Sequence, residues 1–492
     1  MEFSAALEET KYGKFNYFLI IVSGVVLANV LMETAQIGFI LPVSQCDLQL
    51  TIREKGILCA MGYAGIISSS HLWGFLADTK GRKKIICPTL IIGFVFSVLS
   101  SFAKQVWLLS LLRFCTGFFV SGGSATIYAY LGEFHNDKTR SRTMMGSSII
   151  FALGAMILPL IAFTVINQDW ALPISFLGIT YKPWRLFLLV CSVPGFLCGL
   201  VMIFLPESPK FHLTMGRDDE AVEVLKTMYR WNTGRPKSEF RVKYLVPEED
   251  TIRKDFTKKV SFMKTVWDQT APLFSRQYIK VTLLICFIQF WNFVTTNGMY
   301  MWFPEIANYL VEFQQKYPDN STLICDLFRS KQHELYGLQN QEMVCVEKLE
   351  SNTYFYSFFM EVMYTLGFVV ITFIIHRVGK KIILFTVLLT FGICGIACLF
   401  TTNVTVTIYL YVAFFCCGLG INVLGAATVD IYPTHLRAMA ICISLMIGRT
   451  GSLIGANMVS AIFEVNCEAS FILSASALLV SAFLGFLLPG KK

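Results

Sequence analysis

The chain has 492 residues, 55% hydrophobic and 15% charged, with a formal net charge of +8. A soluble globular chain is about 25% charged, so this composition points to an integral membrane protein. The basic excess belongs with cytoplasmic loops rather than a nucleic-acid partner, because no basic stripe interleaved with aromatics occurs. The fifteen cysteines sit mostly singly in apolar runs, as Cys115, Cys191, Cys286 and Cys394 do, and act there as small hydrophobes. None has zinc-ligand spacing, and no metal or cofactor is expected.

Residues 1–17 are polar and mixed in charge, and are expected to form a cytoplasmic N-terminus without a cleaved leader. A spanning helix needs about 20 mostly apolar residues. Twelve stretches qualify: 18–41, 56–77, 85–103, 107–130, 144–166, 184–205, 280–303, 354–375, 382–400, 407–429, 440–463 and 470–488. They group as an N-terminal six-helix bundle (18–205), a polar central loop (206–278) and a C-terminal six-helix bundle (279–488), followed by a short tail (489–492). The class is an all-α polytopic membrane protein of two pseudo-symmetric bundles.

Loop charge gives the orientation. Lys80, Arg82, Lys83, Lys84, Lys138, Arg140, Arg142, Arg377, Lys380, Lys381 and Arg437 all follow even-numbered helices, as does the basic central loop. The alternate loops are poor in Lys and Arg, which places both termini in the cytosol. The 7–8 loop, 304–353, is then lumenal or extracellular. It carries a sequon at Asn320, where glycosylation is expected; a second, at Asn403, lies too close to the membrane. Cys325 and Cys345 in the same loop are candidates for a disulfide, with Cys46 and Cys467 competing on the same side.

Within the central loop, "GRDDEAVEVLKTMYRWNTG" spaces Ala221, Val222, Val224, Leu225 and Met228 for one helical face. Acids open the segment and Lys226 and Arg230 close it, as the helix dipole prefers. This predicts a cytoplasmic helix lying against the bundle.

The halves repeat each other. "EFHNDKTR" (Glu133 to Arg140) and "DIYPTHLR" (Asp430 to Arg437) each place an acid and an Arg seven residues on, at the end of the fourth helix of a half. "DTKGRKK" (Asp78 to Lys84) has a worn counterpart in "HRVGKK" (His376 to Lys381). Such repeats build transporters with a mid-membrane site between halves. The stretch "GFLADTKGRKK" resembles the signature loop of the major facilitator superfamily. "RFCTGFFVSGGSATIYAYLGE", "LPESPKF" and "DIYPTHLR" are similar to its sugar and organic-ion branches. "GFILPVSQCDL", "GMYMWFPEI" and the 7–8 loop resemble the synaptic vesicle glycoprotein 2 and related-protein group. The chain departs from that group at Val30, Ile421 and Gly425, where Asp, Trp and Asp are usual. In the second signature loop His376 and Thr372 replace the usual acid and glycine.

The resemblance implies the twelve-helix major facilitator fold, in which the first helix of each three-helix unit lines the cavity. Asn29, Glu33 and Gln36 share one face of helix one. An acid at mid-membrane costs about 2.5–3.5 kcal/mol on insertion scales, so Glu33 is either a cation- or proton-coupling carboxylate or a structural acid paired to another helix. Gln289, Asn292, Thr296 and Tyr300 form a second polar stripe on helix seven, flanked by Trp291 and Asn297. Tyr128 and Asn422 are further cavity candidates. Arg113 snorkels near the outer end of helix four, Arg449 is a candidate to neutralise a buried acid or an anionic solute, and Glu361 is read as interfacial. Gly74, Asp78, Gly81, Arg82, Glu133, Arg140, Arg142, Asp430 and Arg437 make a cytoplasmic gate. In it Asp78 meets the start of helix eleven, Gly81 allows the tight turn, and Gly74 permits close helix approach.

The expected function is secondary transport of a small organic solute (an organic ion, zwitterion or sugar-like metabolite) by alternating access, either coupled to a proton or another cation through Glu33 or running as a uniporter. The alternative is a vesicle or surface glycoprotein that keeps the transporter fold and acts as a binding or regulatory protein. No nucleophile–base set or phosphate-binding loop supports an enzyme. The expected partners are the bilayer, the solute and the coupling cation, with no nucleic acid, in a plasma or vesicle membrane; a monomer suffices.

Overall fold

A computed structural model of the chain describes residues 1–176, 178–242, 244–245, 270–318, 320–337 and 348–489. Among the described residues, twelve long helices run between two faces and are numbered α1 to α12. The first six are α1 Lys14–Leu48, α2 Ile52–Lys80, α3 Arg82–Ser101, α4 Val106–Glu133, α5 Asp137–Ile166 and α6 Pro183–Phe204. The second six are α7 Ile279–Lys316, α8 Ser351–Val378, α9 Lys380–Phe400, α10 Val404–Ile431, α11 Thr434–Val465 and α12 Cys467–Gly485. All but α2 are long and apolar enough to cross a membrane by length and composition. α2 completes the set with 29 residues; its charges, Arg53, Glu54 and Lys55 at one end and Asp78 and Lys80 at the other, leave its middle free of them. α1 starts and α12 ends on one side of the molecule, the terminal face; the opposite side is the far face.

Local chemistry explains the helix ends. Thr51 opens α2 with a capping box: its hydroxyl accepts from the Glu54 N–H, and the Glu54 carboxylate accepts from the Thr51 N–H. Gly81 and Gly379, at φ +113° and +95°, turn α2 into α3 and α8 into α9. Asn403 caps α10 by accepting from the Val406 N–H.

Two spanning helices are broken at mid-depth. α7 widens into a π turn at Val294–Met299 and tightens into a 3-10 turn at Tyr300–Trp302. Gly298 lies so close to α11 that an added Cβ would stand 2.8 Å from the Gly455 Cα. α10 is interrupted by a 3-10 turn at Cys416–Gly418. With its amide turned so that oxygen meets donor and nitrogen meets acceptor, Asn292 ties the two breaks together, donating to the Cys417 carbonyl at 3.0 Å and accepting from the Ile421 N–H at 3.2 Å.

The far face differs from expectation in three ways. α7 does not end before Pro304. Pro304 stands in the first turn of the segment Phe303–Lys316, where its missing N–H is not needed, so the helix continues. A short antiparallel hairpin pairs Leu172–Ile174 with Ile179–Tyr181 between α5 and α6. Cys325 is bonded to Cys467, not to Cys345, which lies outside the described residues. Cys325 opens the helix Ile324–Gly337, whose Leu327 and Phe328 are buried. Phe328 packs on Phe463 near the end of α11, and Arg329 pairs with Glu468. Docking of this helix at the start of α12 therefore chooses the partner, and loop length does not, since closure entropy grows only as the logarithm of length. Cys46 is also disulfide-bonded.

On the terminal face the expected helix is present as Asp218–Thr233, and all five apolar positions named for it are buried. It packs with a second helix, Phe3–Glu9, that composition did not reveal. Asn232 holds the chain start in place, accepting from the Phe15 N–H and donating to the Lys11 carbonyl. Burial keeps the His135 imidazole below its ordinary 6.5, in the neutral form that faces the Leu131 carbonyl through Nδ1 and the Asn16 amide through Nε2.

Candidate functional site

A cavity of about 300 Å³ lies at mid-depth between the halves. α1, α4 and α5 supply one wall and α7, α8 and α10 the other. Of the residues expected there, Tyr128, Thr296, Asn297, Tyr300 and Asn422 line it. So does Glu361, whose carboxylate accepts from the Tyr300 hydroxyl at 3.0 Å. Glu361 was expected at the interface. It lies inside because α8 starts at Ser351, which puts position 361 almost three turns into the helix.

Gln289, Trp291 and Asn292 are not among the lining residues. A stripe drawn at one helical period along α7 fails because the π turn has more residues per turn and rotates the segment beyond it. Gln289 and Asn292, before the turn, face the inside of the C-terminal bundle, at 1% and 0% exposure. Thr296, Asn297 and Tyr300, within and after it, reach the cavity. Trp291 instead stacks edge-on against Phe290.

Asn29, Glu33 and Gln36 also stay away from the cavity. They point into the N-terminal bundle, each at 5% exposure or less. Asn29 accepts from the Gly195 N–H of α6. Glu33 Oε2 receives Arg113 at 3.0 Å, Gln36 at 2.7 Å and Ser97 at 3.1 Å. Arg113 does not snorkel; it is 2% exposed and donates further to Ser97, Ser100 and Thr116. One face of α1 thus serves a polar network inside its own half, while Leu31 presents the neighbouring face to the cavity. Arg449 neutralises no acid among the described residues. It crosses between halves to the Ser70 hydroxyl at 3.0 Å.

The described hydrogen bonds and ion pairs between the halves lie at the far face or at mid-depth. Lys55 of α2 pairs with Glu305 of α7, both side chains almost wholly buried. Gln45 accepts from Lys55 and Tyr309 donates to Glu305. Tyr354 donates to Asn167 and stacks on Phe39, and Lys348 pairs with Asp169. These contacts shut the cavity on the far side. Periodicity did not mark Lys55 or Glu305, although a charge at each of those helix positions needs a partner.

The described polar contacts of the expected gate residues lie within each half. Arg82 joins Asp78 at 2.9 Å and Glu133 at 3.0 Å, and Glu133 accepts from Ser208. Glu207 caps α3 by accepting from the Lys83 N–H. Arg140 donates to the Gly132 carbonyl, Arg142 is exposed, and Arg437 donates to the Tyr432 carbonyl. In the second half Lys380 pairs with Asp430 at 2.7 Å. The repeat read from the chain is therefore physical: the base after each positive-φ glycine holds the acid at the end of its half's fourth helix. Asp78 pairs with its own half rather than with the start of α11. Gly74 has no described atom within 4 Å of a would-be Cβ, so it mediates no close packing here.

Two six-helix bundles around a mid-depth cavity define a multi-pass membrane protein with a transporter-type fold. A family model described as "Sugar (and other) transporter" matches residues 12–315, and the chain belongs to that family, within the major facilitator superfamily and not among enzymes. It is similar to synaptic vesicle glycoprotein 2B of Mus musculus, 26% identical over 332 residues that make up 64% of this chain and 48% of that one. It is also similar to synaptic vesicle glycoprotein 2A of Homo sapiens, 27% identical over 328 residues, 63% of this chain and 44% of the other. The chain thus spans about half the length of these relatives. Among solved structures, the E. coli xylose transporter XylE in a partially occluded inward-open conformation superposes with a TM-score of 0.66 at 14% identity, covering 97% of this chain and 99% of XylE. A bacterial homolog of the human lysosomal transporter Spinster, inward-facing and unoccupied, gives 0.61 at 13% identity, covering 97% and 98%. These likenesses show the fold.

Proposed function

We propose that the chain is a secondary transporter that moves a small organic solute (an organic ion, a zwitterion or a sugar-like metabolite) by alternating access. The observation that carries this reading is the mid-depth cavity between two pseudo-symmetric halves, shut on one side by contacts that join the halves. In this reading the terminal face is cytoplasmic, as its excess of Lys and Arg favours, and the structure is an inward-facing state. Rocking of the halves breaks the far-side contacts and brings Asp78 to the start of α11, where a carboxylate is favoured. The membrane is that of a vesicle or the cell surface.

Coupling to a proton or another cation runs through Glu33. Its network links α1 to α3 and α4, and loss of its charge would release Arg113 from α1, whose next face borders the cavity. In proteoliposomes, a metabolite panel should reveal one solute whose uptake follows an imposed pH or cation gradient. Glu33→Gln keeps an acceptor oxygen for Arg113 and Ser97. It should abolish the gradient dependence while the size-exclusion profile stays that of the native chain. If no solute moves under any gradient, the transport reading falls. The alternative of a binding or regulatory glycoprotein, which the relatives' names favour, then stands.

Orientation has its own test. Asn320 is exposed beyond α7 and is proposed to be glycosylated on the lumenal or extracellular side. Cleavage of N-glycans should lower the apparent mass of the native chain and leave Asn320→Gln unchanged. A native chain without glycan, or one still glycosylated as Asn320→Gln, would sink the assignment.

A further inference from the structure

Four buried or half-buried acids of the helical bundles come with cations. Glu33 has Arg113, Glu305 has Lys55, Glu133 has Arg82 and Asp47 has Arg185. Glu361 breaks this pattern. Among the described residues it has no ion-pair partner, and its hydrogen bond comes from the neutral Tyr300 hydroxyl. It lines the cavity, whose described lining contains one carboxylate and no Lys, Arg or His. Arg449 lies on the seam between α2 and α11, bonded to Ser70, and does not reach the lining.

An uncompensated carboxylate at mid-membrane is costly, and a positive charge that enters with the ligand would remove that cost. The surrounding walls suit such a charge. Tyr128, Phe151, Tyr300, Tyr364, Phe368 and Phe415 line the same space, and aromatic faces attract cations, most strongly where water is excluded. Asn297 and Asn422 add amides that hydrogen-bond a polar tail. An anion would meet Glu361 without a compensating base, and a neutral polyol would leave its charge unanswered. A volume near 300 Å³ is at the lower end for small-molecule pockets, which favours a compact ligand.

We propose that Glu361 is the counter-charge of a cation site, and that the ligand class is a small organic ammonium of single positive charge. The proposal rests on the transporter reading of the same cavity, and names its solute class.

The test uses the full chain in lipid nanodiscs and two pairs of probes matched in shape: choline against 3,3-dimethylbutan-1-ol, and phenethylammonium against 2-phenylethanol. Calorimetric titration should show at least one cation bound about tenfold or more tightly than its neutral partner. Glu361→Gln, which can still accept from Tyr300, should erase that ratio, and Glu361→Asp should keep it. Equal binding within both pairs, no binding of any probe, or a preference that survives Glu361→Gln would overturn the proposal. Flux separates it from the broader reading. A Glu361-dependent cation preference without flux in proteoliposomes leaves the site standing and defeats transport. Flux of a neutral solute that Glu361→Gln does not change does the reverse.

Discussion

Arg113→Met should lower the folding stability of the chain by about 3–5 kcal/mol, the usual result of stranding one member of a buried ion pair. Glu33 and Arg113 are 5% and 2% exposed. Arg113 spends its guanidinium on Glu33 and three hydroxyls, so its removal leaves a carboxylate in the bundle supported only by Gln36 and Ser97. Glu33→Leu should do similar damage by leaving the guanidinium with hydroxyls alone. The double variant Glu33→Leu/Arg113→Met should recover most of the loss, because two buried charges are replaced by apolar groups of similar volume. Thermal unfolding of the four proteins in one detergent gives the coupling energy directly. Additive single losses would mean that the two side chains do not act as a pair. Because both helices belong to the N-terminal half, the stranded charge costs as much in the open state as in the closed one, so the stability loss itself favours neither.

Much of the architecture was legible because it depends on local chemistry. Apolar runs of spanning length placed the helices, and the repeats located the corresponding acids Glu133 and Asp430, although their partners are Arg82 and Lys380 rather than the Arg seven residues on. The amphipathic helix Asp218–Thr233 was readable because helical period alone decides which five of its residues are buried. What could not be read depends on tertiary contact. The break in α7 is set where Gly298 meets Gly455, more than 150 positions away in the chain; it rotates the polar stripe and removes Gln289 and Asn292 from the cavity. The face of α1 that carries Glu33 turns inward because Arg113, on another helix, is there to receive it. Cys325 finds Cys467 because a loop helix docks on α12. Glu361 was misplaced by an uncertain helix start, and a shift of a few residues separates a membrane interface from a cavity wall.

Lys55→Met should open the far face. Lys55 and Glu305 form the same kind of pair as Arg113 and Glu33, buried on both sides, but one member stands on each half of the protein. The energetics therefore differ in where they are felt. With the far face closed, a lone Glu305 keeps a donor in Tyr309 but has no counter-ion. With the far face open, water reaches it and the penalty falls away. A cost of about 3–5 kcal/mol present in one state only shifts the equilibrium by about two to three and a half powers of ten. Spin labels on Lys104→Cys and Thr402→Cys, exposed on the far face of opposite halves, would report the opening as a longer interspin distance, with the exposed thiol Cys442 replaced by Ser. Glu305→Gln should move the distribution in the same direction. Lys55→Met/Glu305→Met should return it to the closed distance, since no stranded charge then favours water. If both single variants keep the closed distribution, the pair is not the latch. Two buried pairs of like chemistry should thus yield a stability loss for Arg113→Met and a change of state for Lys55→Met, decided by whether the pair lies within one rigid half or spans the two.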